Sequence, residues 1–94
     1  MTIDVQSSLN LGVLPYGIYQ LQFPSKGRSL TLSIGSYQIN EIETLGLDGS
    51  VFSLNLEESN KVCINKDAYA NGNLIVQNNT ESSLTFRWVG MALF

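Results

Sequence analysis

The amino-acid sequence predicts an all-β fold: a single small β-sandwich or barrel, antiparallel and jelly-roll-like, with about seven or eight short strands. Apolar and polar residues alternate with a period of two through most of the chain, which is the pattern of half-buried strands. Turn signals rich in Gly, Pro, Asn and Asp separate the alternating segments at intervals of roughly 8–14 residues. No segment shows convincing helical periodicity. A chain of 94 residues has the size of one domain, so residues 1–94 are predicted to form one β-sandwich domain.

Three alternating segments make up the first third of the chain. Residues 3–13 carry apolar side chains at odd positions, which predicts one long half-buried strand or two strands separated near residues 7–8. Residues 18–23 and 30–34 predict two further strands, and the turn-rich loop 24–29 lies between them. The apolar positions predicted to face the core are Ile3, Val5, Leu9, Leu11, Val13, Tyr19, Leu21, Phe23, Leu30, Leu32 and Ile34.

The middle of the chain contains a change of register and a strong turn signal. The apolar parity shifts at Gly35–Ser36, which predicts a bulge or corner, because an uncorrected slip would turn the apolar face toward water. Residues 40–47 are predicted to form a strand or one short turn rather than a helix, since Gly46 interrupts the helical spacing. Asp48–Gly49 predicts a tight hairpin turn.

Four alternating segments are predicted in the second half of the chain. Three connections separate these segments: the polar turns at residues 57–60 and 78–83, and the longer connection 65–73. Asn78–Thr80 matches a glycosylation sequon but is interpreted as a turn. Leu74–Gln77 is predicted to be one of these strands, and the apolar positions of the other three are Phe52, Leu54, Leu56, Val62, Ile64, Leu84, Phe86 and Trp88.

The composition disfavours several classes of partner. Charged residues make up only 14% of the chain, and Ser, Thr, Asn and Gln supply 30 of the 94 residues, which suits exposed structural or binding proteins. The five basic residues are scattered, so no nucleic-acid binding is expected, because that requires several phosphates to be neutralised together. No apolar run approaches the roughly 20 residues of a membrane span, so no membrane association is expected. The N-terminal residues lack a signal-peptide pattern, which predicts synthesis in the cytoplasm.

The sequence gives no support to an enzyme, and no catalytic residue or cofactor is predicted. The chain contains no His, which removes the commonest general base and metal ligand. The pairs Glu41/Glu43 and Glu57/Glu58 are interpreted as solvated charges that discourage strand aggregation, because a small sandwich offers little room for a cleft between two acids. Cys63 is the single cysteine, lies in a strand-like run and is interpreted as a small packed residue.

The stretch NKDAYANGN at residues 65–73 resembles part of a calcium-binding loop, but no metal site is predicted. Tyr69 stands where an EF-hand loop needs an oxygen ligand, and Asn78 stands where it needs a bidentate acid. The flanking residues are strand-like rather than helical. The stretch is therefore interpreted as a projecting loop.

Two loops carry aromatic side chains that are expected to be exposed. Tyr16 and Tyr69 lie in turns, and Asp67 and Asn71 lie beside the second of them. An aromatic ring next to polar side chains suits either a protein interface or the face and hydroxyls of a sugar. These four residues are the predicted loop contact sites, with a glycan as one candidate ligand.

The C-terminal segment departs from the alternating pattern. Both parities are apolar after Arg87, so the strand is expected to be buried on both faces, either centrally within the domain or against another subunit. The residues of the predicted oligomer interface are Trp88, Val89, Met91, Leu93 and Phe94.

These observations predict a non-enzymatic structural or interaction module. In the leading hypothesis the β-domain self-associates within a larger assembly, as a decoration, fibre-tip or adaptor protein of a viral or phage particle. The partners are then further copies of the chain or other structural proteins, and the site of action is the virion. One alternative is a carbohydrate-binding, lectin-like module, and another is a small inhibitor of a host protein.

Overall fold

The computed structural model of the chain describes residues 1–15, 17–34, 43–45, 48–67 and 72–92. Within these ranges every regular element is a strand except for one 3-10 turn at Pro24–Lys26, which confirms the all-β prediction. No helix in these ranges is long and apolar enough to cross a membrane. The strands are β1 (Thr2–Ile3), β2 (Ser7–Asn10), β3 (Gly17–Phe23), β4 (Arg28–Ile34), β5 (Glu43–Leu45), β6 (Phe52–Ser53), β7 (Val62–Lys66), β8 (Leu74–Asn78), β9 (Leu84–Thr85) and β10 (Arg87–Ala92).

The strands form two four-stranded sheets that contribute to one core, as in a sandwich. The strand order is β10-β3-β4-β5 in the first sheet and β2-β8-β7-β6 in the second, while β1 and β9 form a separate two-stranded sheet. All pairs are antiparallel except β6 and β7, which run parallel. Because β6 and β7 follow each other in the chain, their parallel pairing requires residues 54–61 to bring the chain back to the end at which β6 began.

The core forms where the apolar parity of the sequence is strongest. Residues of β3 and β4 alternate between buried and less buried positions, as the period-two pattern predicts. Val5 and Val13 contradict that pattern, because they are 43% and 55% exposed and lie outside strands. The buried apolar side chains are Ile3, Tyr19, Leu21, Phe23, Leu30, Leu32, Ile34, Phe52, Val62, Cys63, Ile64, Leu74, Val76, Leu84 and Phe86.

The two-stranded sheet β1–β9 joins the two larger sheets at one corner. Strand β1 leads into β2 of one sheet through a turn at Asp4–Gln6, in which Gln6 adopts a left-handed φ of 57°. Strand β9 leads into β10 of the other sheet through Phe86 alone. Met1 and Phe86 extend the pairing, because each backbone nitrogen donates to the carbonyl of the other. The predicted break in the first strand is therefore real, although it lies a few residues earlier than Ser7–Ser8.

The Asp48–Gly49 turn is present, but the hairpin predicted there is wrong. The strand before the turn, β5, pairs with β4, whereas β6 pairs with β7 in the opposite sheet. The Asp48 carboxylate accepts hydrogen bonds from the backbone and hydroxyl of Ser50 and forms an ion pair with Arg28 at 3.0 Å. These hydrogen bonds, first those from Ser50, lower the pKa of Asp48 to about 2. The turn at Asp48–Gly49 thus lies where the chain passes from the sheet that contains β5 to the sheet that contains β6.

A buried polar side chain, Asn78, lies at the end of β8. Its amide nitrogen donates to the carbonyls of Ile3 at 3.0 Å, Ser82 at 2.9 Å and Asp4 at 3.3 Å. Its amide oxygen accepts from the backbone nitrogen and the hydroxyl of Thr80. Asn78 therefore connects β8 to the end of β1 and to the following turn, and it is completely buried.

The burial of Asn78 also bears on the glycosylation sequon Asn78–Thr80. The sequence interpretation as a turn is correct for the residues after Asn78, but the acceptor amide itself is inside the protein. An amide that donates to backbone carbonyls and has no solvent exposure is inaccessible to a glycosyltransferase in the folded state.

We expect Asn78→Ala to lower the free energy of unfolding by about 2–4 kcal/mol, because it leaves carbonyl groups near the corner without their donor. Asn55→Ala is the matched control, since Asn55 is exposed, and its cost is expected to stay within about 0.5 kcal/mol. Urea unfolding followed by Trp88 fluorescence measures both. Equal midpoints for the two variants would contradict the role assigned to Asn78.

Candidate interaction surface along β10

Strand β10 lies at the edge of its sheet. It pairs with β3 over its whole length, from Arg87 opposite Gln22 to Ala92 opposite Gly17. Among the described residues no strand pairs with its other side. Within the described ranges β10 is therefore an edge strand rather than the central strand that one of the two sequence alternatives expected.

The outer face of the sheet carries exposed apolar side chains next to this edge. Val89 is 65% exposed and Ile18, on the neighbouring strand β3, is 44% exposed. Both point away from the core, because each alternates with residues such as Tyr19 and Trp88 that pack against it. The side chains of Val89 and Ile18 therefore leave apolar surface in contact with water next to this edge.

The inner face of β10 is built around Tyr19 and the absence of a side chain at Gly90. Gly90 lies opposite Tyr19 in the register, and a Cβ atom there would fall well inside van der Waals contact with the Tyr19 ring. The ring packs at 6.0 Å from that of Trp88, at an angle of 44°. The Tyr19 hydroxyl donates to the carbonyl of Pro15 at 2.6 Å, and burial raises the pKa of Tyr19.

A shallow depression of about 340 Å³ opens beside Gly90 at this edge. It is mainly apolar, and the segment that leads from β2 into β3 forms one of its walls. The sequence pattern singled out Trp88 and Val89 but gave no sign of the other contributors, because they come together only through the pairing of β3 with β10. The lining residues are Leu14, Pro15, Tyr19, Trp88, Val89 and Gly90.

The structure places only some of the sequence-predicted contact residues. Trp88 and Val89 lie together on β10, and the backbone of Met91 continues the same strand. Asp67 is exposed at the end of β7. The remaining predicted residues lie outside the described ranges: Tyr16, Tyr69, Asn71, Leu93 and Phe94.

Asp67 supports the base of the loop that follows β7. One carboxylate oxygen accepts from the Asn73 backbone nitrogen at 2.8 Å, and the other accepts from its side-chain amide at 3.1 Å. Asn65 is also engaged, because its amide donates to the carbonyl of Leu54. The described oxygen-rich side chains of this stretch therefore bind protein groups: Asp67 holds Asn73, and Asn65 holds Leu54. Across the described ranges no group of three or more Cys, Asp or Glu residues is arranged to hold a metal ion.

The thiol of Cys63 is buried, as expected for a small packed residue. Its sulfur lies 3.3 Å from the Glu58 carbonyl and 3.4 Å from the Asn79 amide nitrogen. Burial is the largest influence on this group and raises the pKa of Cys63, so the reactive thiolate is disfavoured. The arrangement is that of a structural cysteine.

Several basic side chains bind locally rather than forming a continuous positive surface. Arg28 pairs with Asp48, and Lys61 pairs with Glu58 at 3.1 Å. Arg87 donates to the side chain of Gln22 on the neighbouring strand. These three basic side chains therefore each bind a single neighbouring group.

Comparison of the chain with protein-family models, with curated proteins and with solved structures produced no match. Among the described residues, the edge of β10 combines an unpaired strand with an exposed apolar side chain, Val89.

We expect Gly90→Ala to lower the free energy of unfolding by about 1–3 kcal/mol, because the added methyl group must displace the Tyr19 ring. Gly49→Ala is the matched control, since its added Cβ meets nothing within 4 Å, and a change within about 0.5 kcal/mol is expected. Urea unfolding measures both variants, and the emission of Trp88 reports movement of the neighbouring ring. Identical stability and spectra for both would show that the Tyr19–Gly90 contact does not constrain this edge.

Proposed function

We propose that the chain is a non-enzymatic interaction module that self-associates and acts as a structural piece of a larger assembly, such as a decoration, fibre-tip or adaptor protein of a viral or phage particle. The observation that supports self-association is the open edge of β10 with the exposed side chain of Val89 beside it. The composition, rich in uncharged polar residues and poor in charge, supports the wider role in an assembly.

The backbone of β10 provides the polar part of the binding surface. An edge strand presents a row of N–H and C=O groups that another strand can pair with, and each hydrogen bond formed contributes about 1 kcal/mol net. The usual devices against such pairing are missing from residues 87–92, which contain no Pro or Lys and a single charge, at Arg87. An edge of this kind favours pairing with another strand.

Exposed apolar side chains provide the second part of the binding surface. Covering the exposed portion of Val89 contributes about 1–2 kcal/mol per subunit, as a share of the value for a whole Val side chain. Ile18 adds to the same outer surface. Backbone pairing and apolar burial therefore act at the same place.

The surface gives no comparable support to carbohydrate binding. Asp67 uses both carboxylate oxygens to hold Asn73, and the other residues predicted for a sugar site lie outside the described ranges. Glycan binding stays a prediction from the sequence.

We expect light scattering to give a mass above that of the 10.4 kDa monomer for the wild-type chain and the monomer mass for Val89→Asp. The charge would have to be buried against the partner strand, which costs more than the apolar contact contributes. Val13→Asp is the matched control, because Val13 is 55% exposed but lies off β10, and it should associate like the wild type.

Circular dichroism distinguishes loss of association from loss of folding in these variants. A folded wild-type chain that remains monomeric at every concentration would overturn the proposed function. Equal effects of Val89→Asp and Val13→Asp would remove β10 from the interface.

A further inference from the structure

We infer that the binding partner of β10 is the β10 strand of a second copy of this chain, related by a two-fold axis normal to the sheet and centred on Val89. The inference rests on the proposed self-association and specifies its geometry. Two sheets of order β10-β3-β4-β5 would then join into one continuous eight-stranded sheet.

Edge length and exposure single out β10 among the available edges. In the described ranges the two larger sheets end at β10, β5, β2 and β6. Strands β5 and β6 have three and two residues, and the exposed residues of β2 are Ser and Asn. Strand β10 has six residues and an exposed β-branched side chain. It therefore offers the longest backbone ladder together with apolar surface.

Charge decides the relative direction of the two strands. Arg87 is the single charged residue of β10 and lies at its beginning. Parallel pairing in register would place two Arg87 side chains about 5 Å apart. Antiparallel pairing about Val89 places each Arg87 opposite Met91 of the other copy, so the two charges are separated by roughly 14 Å along the strands, beyond the Debye length of about 8 Å. The antiparallel arrangement thus avoids repulsion at the axis.

Side-chain alternation limits the register. A two-fold axis normal to the sheet brings the same faces together, so residues that face each other must have the same parity. The axis must therefore pass through a residue paired with itself, and Val89 and Gly90 are the two central choices. Centring on Val89 joins the two exposed Val89 side chains on the outer face.

The inner face favours the same register. With Val89 on the axis, Trp88 of each copy lies opposite Gly90 of the other, beside the shallow depression that Gly90 helps to line. Centring on Gly90 would instead place the two glycines against each other and leave that depression unfilled. Strand β10 is therefore complementary to a second copy of itself. Trp88 lies opposite Gly90 at two places in the pair, and Val89 lies opposite Val89 at the axis.

Disulfide trapping tests this geometry. Directly opposed residues of an antiparallel pair have Cα atoms about 4.5–5.5 Å apart, within the range that a disulfide spans. Val89→Cys should therefore form a covalent dimer when its thiols are oxidised by diamide. Ile18→Cys is the matched control, because two Ile18 positions would lie three strand spacings apart across the sheet and four residues apart along it, roughly 20 Å in all, which is too far for a disulfide. At micromolar protein, the initial rate of dimer formation by Val89→Cys should exceed that of Ile18→Cys by on the order of 1,000-fold, since paired thiols have millimolar effective concentrations.

The outcomes separate this inference from the proposed function. The wild type is the blank, because its Cys63 is buried and should not cross-link. Efficient trapping of Val89→Cys alone supports the two-fold β10 pair. A wild type that associates by light scattering while Val89→Cys resists trapping, or traps no better than Ile18→Cys, would overturn the geometry and leave self-association standing. A monomeric wild type would overturn both.

Discussion

The buried amide of Asn78 fixes the corner on which the arrangement of the two sheets depends. It ties the end of β8 to the carbonyl of Ile3 on β1 and to the turn that leads into β9. Satisfying this amide inside the protein requires β1, β8 and the 80–82 turn to meet at one place, since an unpaired amide there would cost about 1–3 kcal/mol. The polar cluster therefore specifies which strands meet, while the apolar core supplies most of the stability.

The openness of β10 follows from that corner. The small sheet β1–β9 connects the two larger sheets. After Phe86 the chain forms β10, which pairs with β3 alone among the described strands. Its far side is thus left without a neighbour in the described part of the fold. Tyr19 packs against Gly90 on the inner face, and Val89 is exposed to water on the outer face. A second strand would pair with the open side of β10 and cover the Val89 side chain.

The sequence predicted features that depend on local periodicity and missed those that depend on long-range pairing. The core faces of β3 and β4 follow directly from alternation, and the Asp48 turn follows from its residues. The partner strands of that turn lie in different sheets, which no local pattern reveals. Asn78 was placed in a polar turn because Asn is usually exposed, and only its contacts with residues 75 positions away explain its burial. The apolar residues 88–92 predicted an unusual strand, but whether it is central or at an edge depends on neighbours distant in sequence.

Hydrogen–deuterium exchange of the β10 amides at several protein concentrations shows whether this edge pairs with a second copy of the chain. If β10 pairs with a second copy, alternate amides of residues 87–92 point into the new ladder. Their protection should then rise with concentration, while amides in the ladder between β3 and β4 stay unchanged. Rapid exchange of the outward amides of β10 at every concentration would show that this edge remains open to water and would contradict the account.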